Sequence, residues 1–430
     1  MPFETPHAPS RRIAVIGGGI SGMSAAHMLS RGNSVVLFEY EPRLGGHART
    51  VIAGKRGDQP VDTGFIVFNR VNYPHLVRLF ESLDVPVADS NMSFAASIDG
   101  GRIEYGLKTL NAVFAQRRNL LRPAYLRMLR DILTFNARAD AVANDPDMTI
   151  REFLARLGTG PWFRDYYVLP LSGAIWSTPT TGILDFPAQA MIRFFRNHAL
   201  LSTSGQHPWY TVRGGSVQYV TRLQAAMTKA GVDIRLKAPV AGVRRLQGSV
   251  LVRAVGGEWE AFDDVVFATH SDDTLALLTD PSPAESAALG AVRYQPNTAV
   301  LHCDASVMPK RRGTWASWNY TEAAGKQANR IDLTYWMNSL QPIPQDDPLF
   351  VTLNTTQPIR QDCIYDTTTF RHPFYDLAAL AAQGQVRAMN GTRNTWFCGA
   401  WLKNGFHEDG IASAFDVVEA MARREERVAA

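Results

Sequence analysis

A glycine-rich turn near the N-terminus constrains the fold more than any other feature of this sequence. The apolar residues 13–16 precede Gly17, Gly19 and Gly22, and a segment with apolar residues at helical spacing follows to residue 29. A short, fully apolar run is typical of a strand inside a parallel sheet, and the spacing after it predicts a helix. The sequence therefore predicts a strand, a tight turn and a helix, the first unit of a doubly wound α/β domain.

Each part of this turn has a physical role in a dinucleotide site. Gly17 permits the tight turn, Gly19 lets backbone N–H groups approach a pyrophosphate, and Gly22 lets the helix pack close to the strand. Ile20 and Ser21 lie at the start of the helix, whose positive end faces the negative charge of the phosphates. The turn is therefore predicted to bind a pyrophosphate.

An acidic residue follows at the distance that such a site requires. Residues 34–38 predict a second buried strand, and Glu39 comes directly after it, 22 positions beyond Gly17. A carboxylate there accepts hydrogen bonds from ribose hydroxyls, whereas a basic residue would indicate a 2′-phosphate. Tyr40, the next residue, is included among the predicted contacts. Dinucleotide binding is thus favoured over an ordinary glycine-rich loop.

A glycine pair after Glu39 favours FAD over NAD as the expected cofactor. The residues concerned are Arg43, Gly45, Gly46, His47 and Arg49. They resemble the Arg-x-Gly-Gly-Arg segment of the flavin amine oxidase superfamily, whose loop contacts the diphosphate and the flavin. His47 stands at the family's second arginine, so Arg43 and Arg49 are the expected phosphate contacts. His47 is then either a loop residue or a point of covalent flavin attachment.

Further segments match the same superfamily in the expected order. Residues 213–215 (Arg-Gly-Gly) precede a predicted helix that runs to residue 227, and residues 231–236 predict a strand before Val240. In the family the backbone at this valine flanks the adenine. Residues 265–269 predict another buried strand, which ends at His270. The cofactor implied by the resemblance is FAD.

The C-terminal segment supplies the last match. Gly399 follows a short apolar run, and Gly410 and Ile411 are predicted to open the closing helix. The resemblance implies that this helix start lies near the flavin N1 and C2 carbonyl, where its positive end stabilises the reduced, anionic flavin. Ala400 departs from the family, which often has an acid there.

The resemblance implies an α/β fold with a Rossmann-type FAD-binding domain interleaved with an α+β substrate domain. The FAD-binding domain is predicted to comprise residues 1–75, 205–290 and 389–430. The substrate domain is predicted to comprise residues 76–204, mainly helical, and residues 291–388, which are strand-rich. Within the latter, strands are predicted at 297–303, 331–337 and 349–354, and a helix at 376–389. The active site is expected in the cleft between the two domains.

Composition narrows the class of protein further. The 430 residues are 46% hydrophobic and 20% charged, which is typical of a globular chain. A formal charge of +4 does not favour nucleic acid as a partner. Cys303, Cys363 and Cys398 form no CxxC pair, so neither a disulfide framework nor a zinc site is expected.

The expected location follows from the same features. The first ten residues are polar and lack the apolar region of a signal peptide. No run of about 18 uninterrupted apolar residues occurs, so no membrane-spanning helix is expected. Sparse cysteines are typical of a reducing compartment. We expect a cytoplasmic protein, either soluble or peripheral on the inner face of the membrane.

A basic stretch with interleaved apolar residues lies between residues 102 and 138. Eight cations stand there against two acids, Glu104 and Asp131. The cations are Arg102, Lys108, Arg117, Arg118, Arg122, Arg127, Arg130 and Arg138. Such a stretch either binds an anionic phospholipid surface or forms the solvated face of bundle helices, and the sequence is compatible with both.

Aromatic residues are concentrated in the inserted segments. They are Trp162, Phe163, Tyr166, Tyr167, Trp176, Trp315, Trp318, Tyr320, Tyr335 and Trp336. Most clustered aromatics serve packing. A few of them lining a deep apolar slot would suit a long hydrocarbon chain or an amine side chain.

Four short strings resemble a narrower group within the superfamily. They are residues 174–179 (Ala-Ile-Trp-Ser-Thr-Pro), 315–320 (Trp-Ala-Ser-Trp-Asn-Tyr), 333–338 (Leu-Thr-Tyr-Trp-Met-Asn) and 405–410 (Gly-Phe-His-Glu-Asp-Gly). These strings are similar to bacterial FAD-binding proteins found together with cyclopropane fatty-acyl phospholipid synthases. One branch is implicated in furan fatty acid synthesis, where a methyl-branched acyl chain is desaturated. The resemblance implies an apolar lipid substrate and a fatty-acyl methyltransferase as a partner.

The implied reaction transfers a hydride from an activated C–H to flavin N5 while a neighbouring carbon loses a proton. The proposed proton acceptors are His407 and Glu408, just before the final helix, and His270. Glu408 is also interpretable as an ordinary acid at a helix N-terminus, and His270 as a hydrogen-bonding residue at a strand end.

Two other functions are compatible with the same sequence. An amine oxidase would use the same fold and the same hydride transfer on a C–N bond. A protein that only holds FAD, or a lipid for a partner methyltransferase, would perform no chemistry itself.

Overall fold

The computed structural model of the protein describes residues 11–145, 147–176, 180–198, 200–202, 207–325 and 332–429. Strands β1 to β10 are Arg12–Ile16, Ser34–Phe38, Thr50–Ala53, Gln59–Asp62, Val67–Phe68, Val87–Ser90, Phe94–Ile98, Ile103–Gly106, Trp209–Val212 and Asp233–Arg235. Strands β11 to β20 are Val240–Arg245, Val250–Ala254, Trp259–Phe262, Asp264–Phe267, Arg293–His302, Trp318–Thr321, Asp332–Trp336, Phe350–Leu353, Ile364–Phe374 and Thr395–Phe397.

The helices of the described residues lie between these strands, singly or in succession. Helices α1 to α8 are Ile20–Leu29, Pro74–Ser82, Leu110–Val113, Pro123–Val142, Ile150–Leu157, Pro161–Phe163, Leu169–Trp176 and Thr180–Ile183. Helices α9 to α15 are Ala188–Asn197, Val217–Lys229, Ser271–Leu277, Pro283–Gly290, Met337–Leu340, Leu377–Met389 and His407–Ala429. Among the described residues, none of these helices is both long and apolar enough to cross a membrane.

A five-stranded parallel sheet forms the first half of the fold. Its strand order is β10-β2-β1-β14-β20, with β1 in the middle. Residues 13–16 of β1 are buried on both faces, as their continuous apolar run predicts. Helices α1, α10 and α15 pack on one face, while the antiparallel sheet β11-β12-β13 and α14 cover the other. The sequence prediction of a doubly wound α/β unit is confirmed.

A seven-stranded sheet forms the second half. Its order is β19-β15-β18-β17-β16-β7-β8, and the pairing is antiparallel except between β7 and β16. Helices α4, α5 and α9 share a large apolar core with this sheet. The strands therefore come from two segments that are far apart in the sequence, 94–106 and 293–374.

The structure differs from the sequence prediction in two elements of this sheet. Residues 76–204, predicted as mainly helical, also contain β6, β7 and β8. All five residues of β7 are buried, so this strand shows no alternation of apolar and polar residues. The eleven-residue strand β19 was not predicted, because its many threonines and charged residues show little apolar patterning. Predicted strands at 297–303 and 349–354 and the helix at 376–389 are confirmed within a few residues; residue 331 lies outside the described part.

Candidate functional site

The glycine turn after β1 is held by close backbone contacts. Gly17 has φ +106°, and a Cβ atom there would lie 2.9 Å from the carbonyl oxygen of Ala268. At Gly22 a Cβ would lie only 1.8 Å from the Gly17 carbonyl oxygen. A Cβ at Gly19, in contrast, would meet no atom within 4 Å. Two of the glycines are thus required by packing, and the third borders open space.

That open space lies at the uncapped start of α1. Gly19 is the N-cap residue and offers no side chain, and the first turn contains no acid. The first intrahelical bond runs from the Met23 amide to the Gly19 carbonyl, 2.9 Å. The N–H groups of Ile20, Ser21 and Gly22 therefore precede the ladder, and such groups with the helix dipole bind anions. The turn fits the pyrophosphate of FAD.

Glu39 lies beside this turn at the carboxyl end of β2. Its carboxylate accepts hydrogen bonds from the amides of Gly18, at 2.6 Å, and Glu41, at 2.7 Å. Burial raises the pKa of Glu39. Each oxygen retains a lone pair for a ribose hydroxyl. Tyr40, also predicted as a contact, is 70% exposed, and Val240 is half-buried at the start of β11.

The second glycine loop lies directly against the first. Gly45 pairs with Gly19 in a parallel bridge and donates to the Gly18 carbonyl at 2.9 Å. Gly46 has φ +53°, and a Cβ there would approach Gly19 to 3.1 Å. The Arg43 guanidinium donates to three carbonyls of this loop, at 3.0–3.2 Å. Arg43 therefore folds the loop that was predicted to contact the diphosphate, and its phosphate contact stays a prediction.

Arg49, the other predicted phosphate contact, has a different partner. Its guanidinium donates to both carboxylate oxygens of Asp366 in β19, at 2.6 and 3.0 Å. A bidentate pair of this kind occupies the planar face that would bind phosphate. Arg49 instead joins the second glycine loop to the seven-stranded sheet. The sequence could not show this, because the partner is 317 positions away.

The final helix starts earlier than predicted. α15 begins at His407, and the Gly410 amide donates to the Phe406 carbonyl at 3.2 Å, so this N–H is already satisfied. Asp409 accepts from the amides of Asn404 and Phe406, at 3.2 and 2.9 Å, and thereby caps the start. A Cβ at Gly410 would lie 2.7 Å from Ile20 Cγ2, so this glycine lets α15 pack against α1.

The predicted residues Gly399 and Ile411 also serve that packing. The Gly399 amide donates to Ser413 Oγ at 2.8 Å, which fixes the end of β20 on α15. Ile411 is buried in the core between the helices and the parallel sheet. The free amides near the flavin would therefore be those of the first turn of α15 rather than those of Gly410 and Ile411.

A cavity of about 990 Å³ opens between the two halves of the fold. Its walls are mainly apolar and come from the seven-stranded sheet, α3, α4 and the loop before α15. The apolar side chains from α3 and α4 are Leu110, Val113, Leu129, Ile132 and Leu133. Among the described residues that line the cavity there is no aspartate or glutamate, and the only cationic side chain is Lys108.

The aromatic wall predicted from the sequence is present only in part. Tyr167, Trp318 and Tyr335 line the cavity. Trp162, Phe163, Tyr166, Trp315, Tyr320 and Trp336 are absent from its lining. The side chain of Trp176 lies outside the described part of the chain, as do residues 177–179 of the string at 174–179.

Three histidines lie where the cavity meets the second glycine loop. The His47 ring is in edge contact with His372, with centroids 5.4 Å apart, and His407 lines the same cavity. Desolvation lowers the pKa of each of these imidazoles to about 3. The three rings are therefore neutral near pH 7. His372 was not identified from the sequence, because β19 was not predicted.

Of the three proposed proton acceptors, only His407 lines the cavity. Its Nε2 lies 2.6 Å from the Tyr219 hydroxyl, and its ring stacks on Phe65 at 4.0 Å. Glu408 accepts from the amides of His75 and Leu76, at 3.0 and 2.9 Å. It therefore anchors the start of α2, and among the described residues these two amides are its hydrogen-bond partners.

His270 also lies outside the lining of the cavity. Its ring stacks on Tyr294 with centroids 4.3 Å apart, and desolvation lowers its pKa to about 4. The neighbouring Asp272 and Asp273 both pair with Arg371. The structure thus favours a packing role for His270 at the start of α11.

Comparison with known proteins identifies relatives of this architecture. A family model described as flavin containing amine oxidoreductase matches residues 20–334, which are 315 of the 430 residues. FAD-dependent oxidoreductase dbaF of Emericella nidulans is 38% identical over 95 residues, 22% of this chain and 19% of that protein. Mitochondrial protoporphyrinogen oxidase of Nicotiana tabacum is 45% identical over 49 residues, 11% of this chain and 10% of the relative. The chain thus covers a fifth or less of the length of these two relatives.

Solved structures share the fold over nearly the whole chain. The CLA-producing fatty acid isomerase from P. acnes superposes with a TM-score of 0.69 and 14% identity, covering 96% of this chain and 99% of that one. Cyclohexylamine oxidase from Brevibacterium oxydans IH-35A gives a TM-score of 0.69 and 15% identity, with 97% and 100% covered. At such identities the likeness concerns the fold alone.

The packing of Gly22 predicts a specific loss of cofactor. Gly22→Ala places a methyl group against the Gly17 carbonyl, so α1 must shift and the pyrophosphate site is distorted. We expect the FAD affinity to fall by about tenfold or more. The ratio of flavin to protein absorbance after purification measures this. Gly32→Ala, which meets no atom within 4 Å, is the matched control and should stay yellow. Equal flavin content in both variants would contradict the prediction.

The neutral His47 predicts a pH-dependent stability. His47 has a pKa of about 3 in the folded protein against 6.5 in the unfolded chain, so acidification protonates the unfolded chain first. Its contribution is present above pH 6.5 and is lost as the pH falls from 6.5 towards 3. His47→Phe keeps an aromatic ring without titration. Between pH 7 and pH 5 wild type should lose about 1–2 kcal/mol more than this variant.

Urea unfolding at a fixed FAD concentration measures this difference. Between pH 7 and pH 8 the gap between wild type and His47→Phe should change by only about 0.1 kcal/mol, because the imidazole of the unfolded chain is already mostly neutral at pH 7. Parallel curves down to pH 5 would show that His47 carries no such shift.

Proposed function

The chain belongs to the flavin-containing amine oxidoreductase family and is thereby an FAD-dependent enzyme, and on this premise we propose that it desaturates a lipid acyl chain. The substrate in this proposal is a methyl-branched fatty-acyl phospholipid. The reaction removes two hydrogens from adjacent or conjugated carbons and leaves one further double bond. The resemblance of the short strings noted above provides the substrate class.

The observation that carries the proposal is that the described lining residues of the cavity include no acidic side chain. A cavity of about 990 Å³ with mainly apolar walls suits a long hydrocarbon chain. An ammonium group transferred into it would lose its hydration, and no described lining residue offers a carboxylate to compensate. This argues against a charged amine as the substrate.

Bound FAD supplies the hydride acceptor for such a desaturation. The protein orients the chain along the cavity wall and excludes water from the reacting carbons. His407 is the group we propose to take up the proton that the substrate loses, because it is the one of the three proposed acceptors that lines the cavity and its imidazole is unprotonated near pH 7. Its pKa of about 3 means that it passes this proton on rather than keeping it. The hydroxyl of Tyr219, 2.6 Å from Nε2, and the stacked ring of Phe65 fix the orientation of its imidazole.

Exposed leucines and arginines between residues 110 and 133 support a phospholipid membrane as a partner. Leu110 and Leu133 line the cavity and are 80% and 58% exposed, and Leu121 is 86% exposed. The exposed Arg117, Arg127 and Arg130 lie on the same stretch of chain. Exposed leucines flanked by arginines bind anionic bilayers through burial and charge together. Binding there would place the protein on the inner face of the membrane beside its methyltransferase partner.

The substrate proposal is tested by anaerobic reduction of the bound flavin. Phospholipid vesicles with methyl-branched, monounsaturated acyl chains should bleach the flavin, and the recovered acyl chains should have lost two hydrogens. Primary amines should give no bleaching. Bleaching by amines alone would support amine oxidation instead, and a flavin reduced by neither class would support a protein that only binds FAD or lipid.

A variant pair locates this reaction in the cavity. Val113→Trp fills part of the apolar lining and should lower acyl turnover by about tenfold or more while flavin content stays unchanged. Leu246→Trp adds the same side chain at a position that is 46% exposed and absent from the lining. It should turn over acyl chains like wild type. Equal rates in the two variants would exclude the cavity as the substrate site.

The membrane proposal predicts a loss of binding when charge is removed. The triple variant Arg117→Gln, Arg127→Gln and Arg130→Gln should bind vesicles rich in anionic phospholipid about 100-fold more weakly, since each cation contributes about 1 kcal/mol. Co-sedimentation at low salt measures the affinity. The control removes three exposed arginines of the other half, Arg31, Arg244 and Arg253. Equal losses in the two variants would contradict a specific surface.

A further inference from the structure

His372 is a cavity residue that the proposed reaction does not use. It lies in β19, half-buried, and its ring meets His47 in edge contact at 5.4 Å. Its Nδ1 has a partner, Asn297 Nδ2, at 2.8 Å. Within the described part of the chain its Nε2 makes no hydrogen bond, although the ring lines the cavity. The protonation state of the two nitrogens decides what this residue offers to a ligand.

The side-chain amide of Asn354, which contacts Asn297, is oriented by its contacts with the backbone of Thr298. Asn354 follows β18 with φ +51°, and its backbone N–H donates to the Thr298 carbonyl at 2.9 Å. The Thr298 N–H in turn donates to the Asn354 side chain at 2.9 Å. A backbone N–H can only donate, so the atom that it faces must be Oδ1. The Nδ2 group of Asn354 therefore points to its other neighbour.

That neighbour is Asn297, whose orientation follows. Asn354 Nδ2 lies 2.5 Å from the Asn297 side chain, and as a donor it must face Oδ1. The other end of the Asn297 amide, Nδ2, is then the group that faces His372 Nδ1. Because this Nδ2 also carries only protons, Nδ1 of the imidazole must accept. A neutral imidazole that accepts at Nδ1 carries its proton on Nε2.

We propose that His372 is an uncharged hydrogen-bond donor at the cavity, held by Asn354 and Asn297 in the tautomer with its proton on Nε2. Its ligand is a neutral acceptor atom: a carbonyl oxygen or ring nitrogen of the flavin, or an oxygen of the substrate. Asn297 and Asn354 are positioning residues in this arrangement. The proposal holds whether or not the substrate is an acyl chain.

Two features of the surroundings support this assignment. Desolvation, with a smaller contribution from the nearby His47, lowers the pKa of His372 to about 3, so a second proton on Nδ1 is disfavoured near neutral pH. A donor without charge binds a neutral acceptor without the desolvation of an ion. The role also differs from that of His407, since the lone pair of His372 is occupied by Asn297 and cannot take a substrate proton.

Nitrogen NMR on the holoenzyme tests the tautomer directly. Protein with ¹⁵N-labelled histidine should show a His372 Nδ1 signal of the unprotonated type and an Nε2 signal of the protonated type at pH 7. The signals are assigned by their loss in His372→Gln. His198 is an internal reference with the reverse pattern, because its Nδ1 lies 3.0 Å from the Phe194 carbonyl and must donate. A proton on Nδ1 of His372 in wild type would overturn the proposal.

Substitution of Asn297 should move the proton of His372 from Nε2 to Nδ1. Asn297→Asp puts a carboxylate oxygen opposite Nδ1, so the proton should move to Nδ1 and its ¹⁵N signal should change to the protonated type. Asn354→Gln, which displaces the amide that orients Asn297, should weaken the preference for one tautomer. Unchanged His372 signals in both variants would show that the two asparagines do not set the tautomer.

The acceptor is identified by two variants of His372 itself. His372→Gln keeps an N–H donor near the position of Nε2, whereas His372→Phe keeps the ring without a donor. If the flavin is the acceptor, the His372→Phe variant should show a shifted flavin absorption spectrum and midpoint potential. The His372→Gln variant should then resemble wild type in both. If the substrate is the acceptor, the flavin is unchanged, and KM rises about tenfold in Phe but not in Gln. Indistinguishable Phe and Gln variants in both measurements would overturn the donor role.

Discussion

The parallel pairing of β1 between β2 and β14 is the contact on which the rest of the structure depends. It aligns Ile13–Ile16 with residues 35–38 on one side and 264–267 on the other. The carboxyl ends of all these strands then meet at one edge of the sheet, where ligands of α/β folds bind. The glycine turn, Glu39 and the loop before α11 lie there as a consequence. Segments far apart in sequence therefore form one nucleotide site only when this sheet is complete.

The two halves of the fold are joined by buried polar contacts as well as by apolar packing. Asp62 accepts from the Ser216 amide at 2.8 Å and from Gln341 Nε2 at 3.0 Å, so one carboxylate links β4, the start of α10 and the end of α13. Burial raises its pKa to about 6. The pair of Arg49 and Asp366 makes a second link across the same boundary. Such contacts fix the distance between the flavin loop and the cavity walls, because each loses partners if the halves move apart.

The sequence predicted those features of the fold and site whose determinants lie close together along the chain. The first strand, the glycine turn, the helix and the second strand before Glu39 were predicted correctly, because all of them are set within thirty residues. The contacts of Gly17, Gly19, Gly22 and Glu39 with the cofactor stay predictions. The prediction that Arg49 contacts phosphate did not anticipate its pairing with Asp366, because Asp366 lies in the distant strand β19. The start of α15 was placed too late, because the capping by Asp409 depends on a loop conformation.

His372 was missed for the same reason, as its surroundings are assembled from strands β15, β18 and β19. Its contact with Asn297 crosses 75 positions of sequence, and no local pattern marks it.

The electrostatics of the cavity decide how one fold serves different substrates. Solved structures with the same fold include a cyclohexylamine oxidase and a fatty acid isomerase, and a shared fold does not itself select a substrate. Selection must come from the walls that the seven-stranded sheet and α4 provide. An ammonium ion in an apolar cavity without a carboxylate costs several kcal/mol of lost hydration, while an acyl chain gains about 0.8 kcal/mol for each buried methylene. With neutral histidines and mainly apolar side chains in its lining, this cavity is compatible with the long acyl chain that we propose as its substrate.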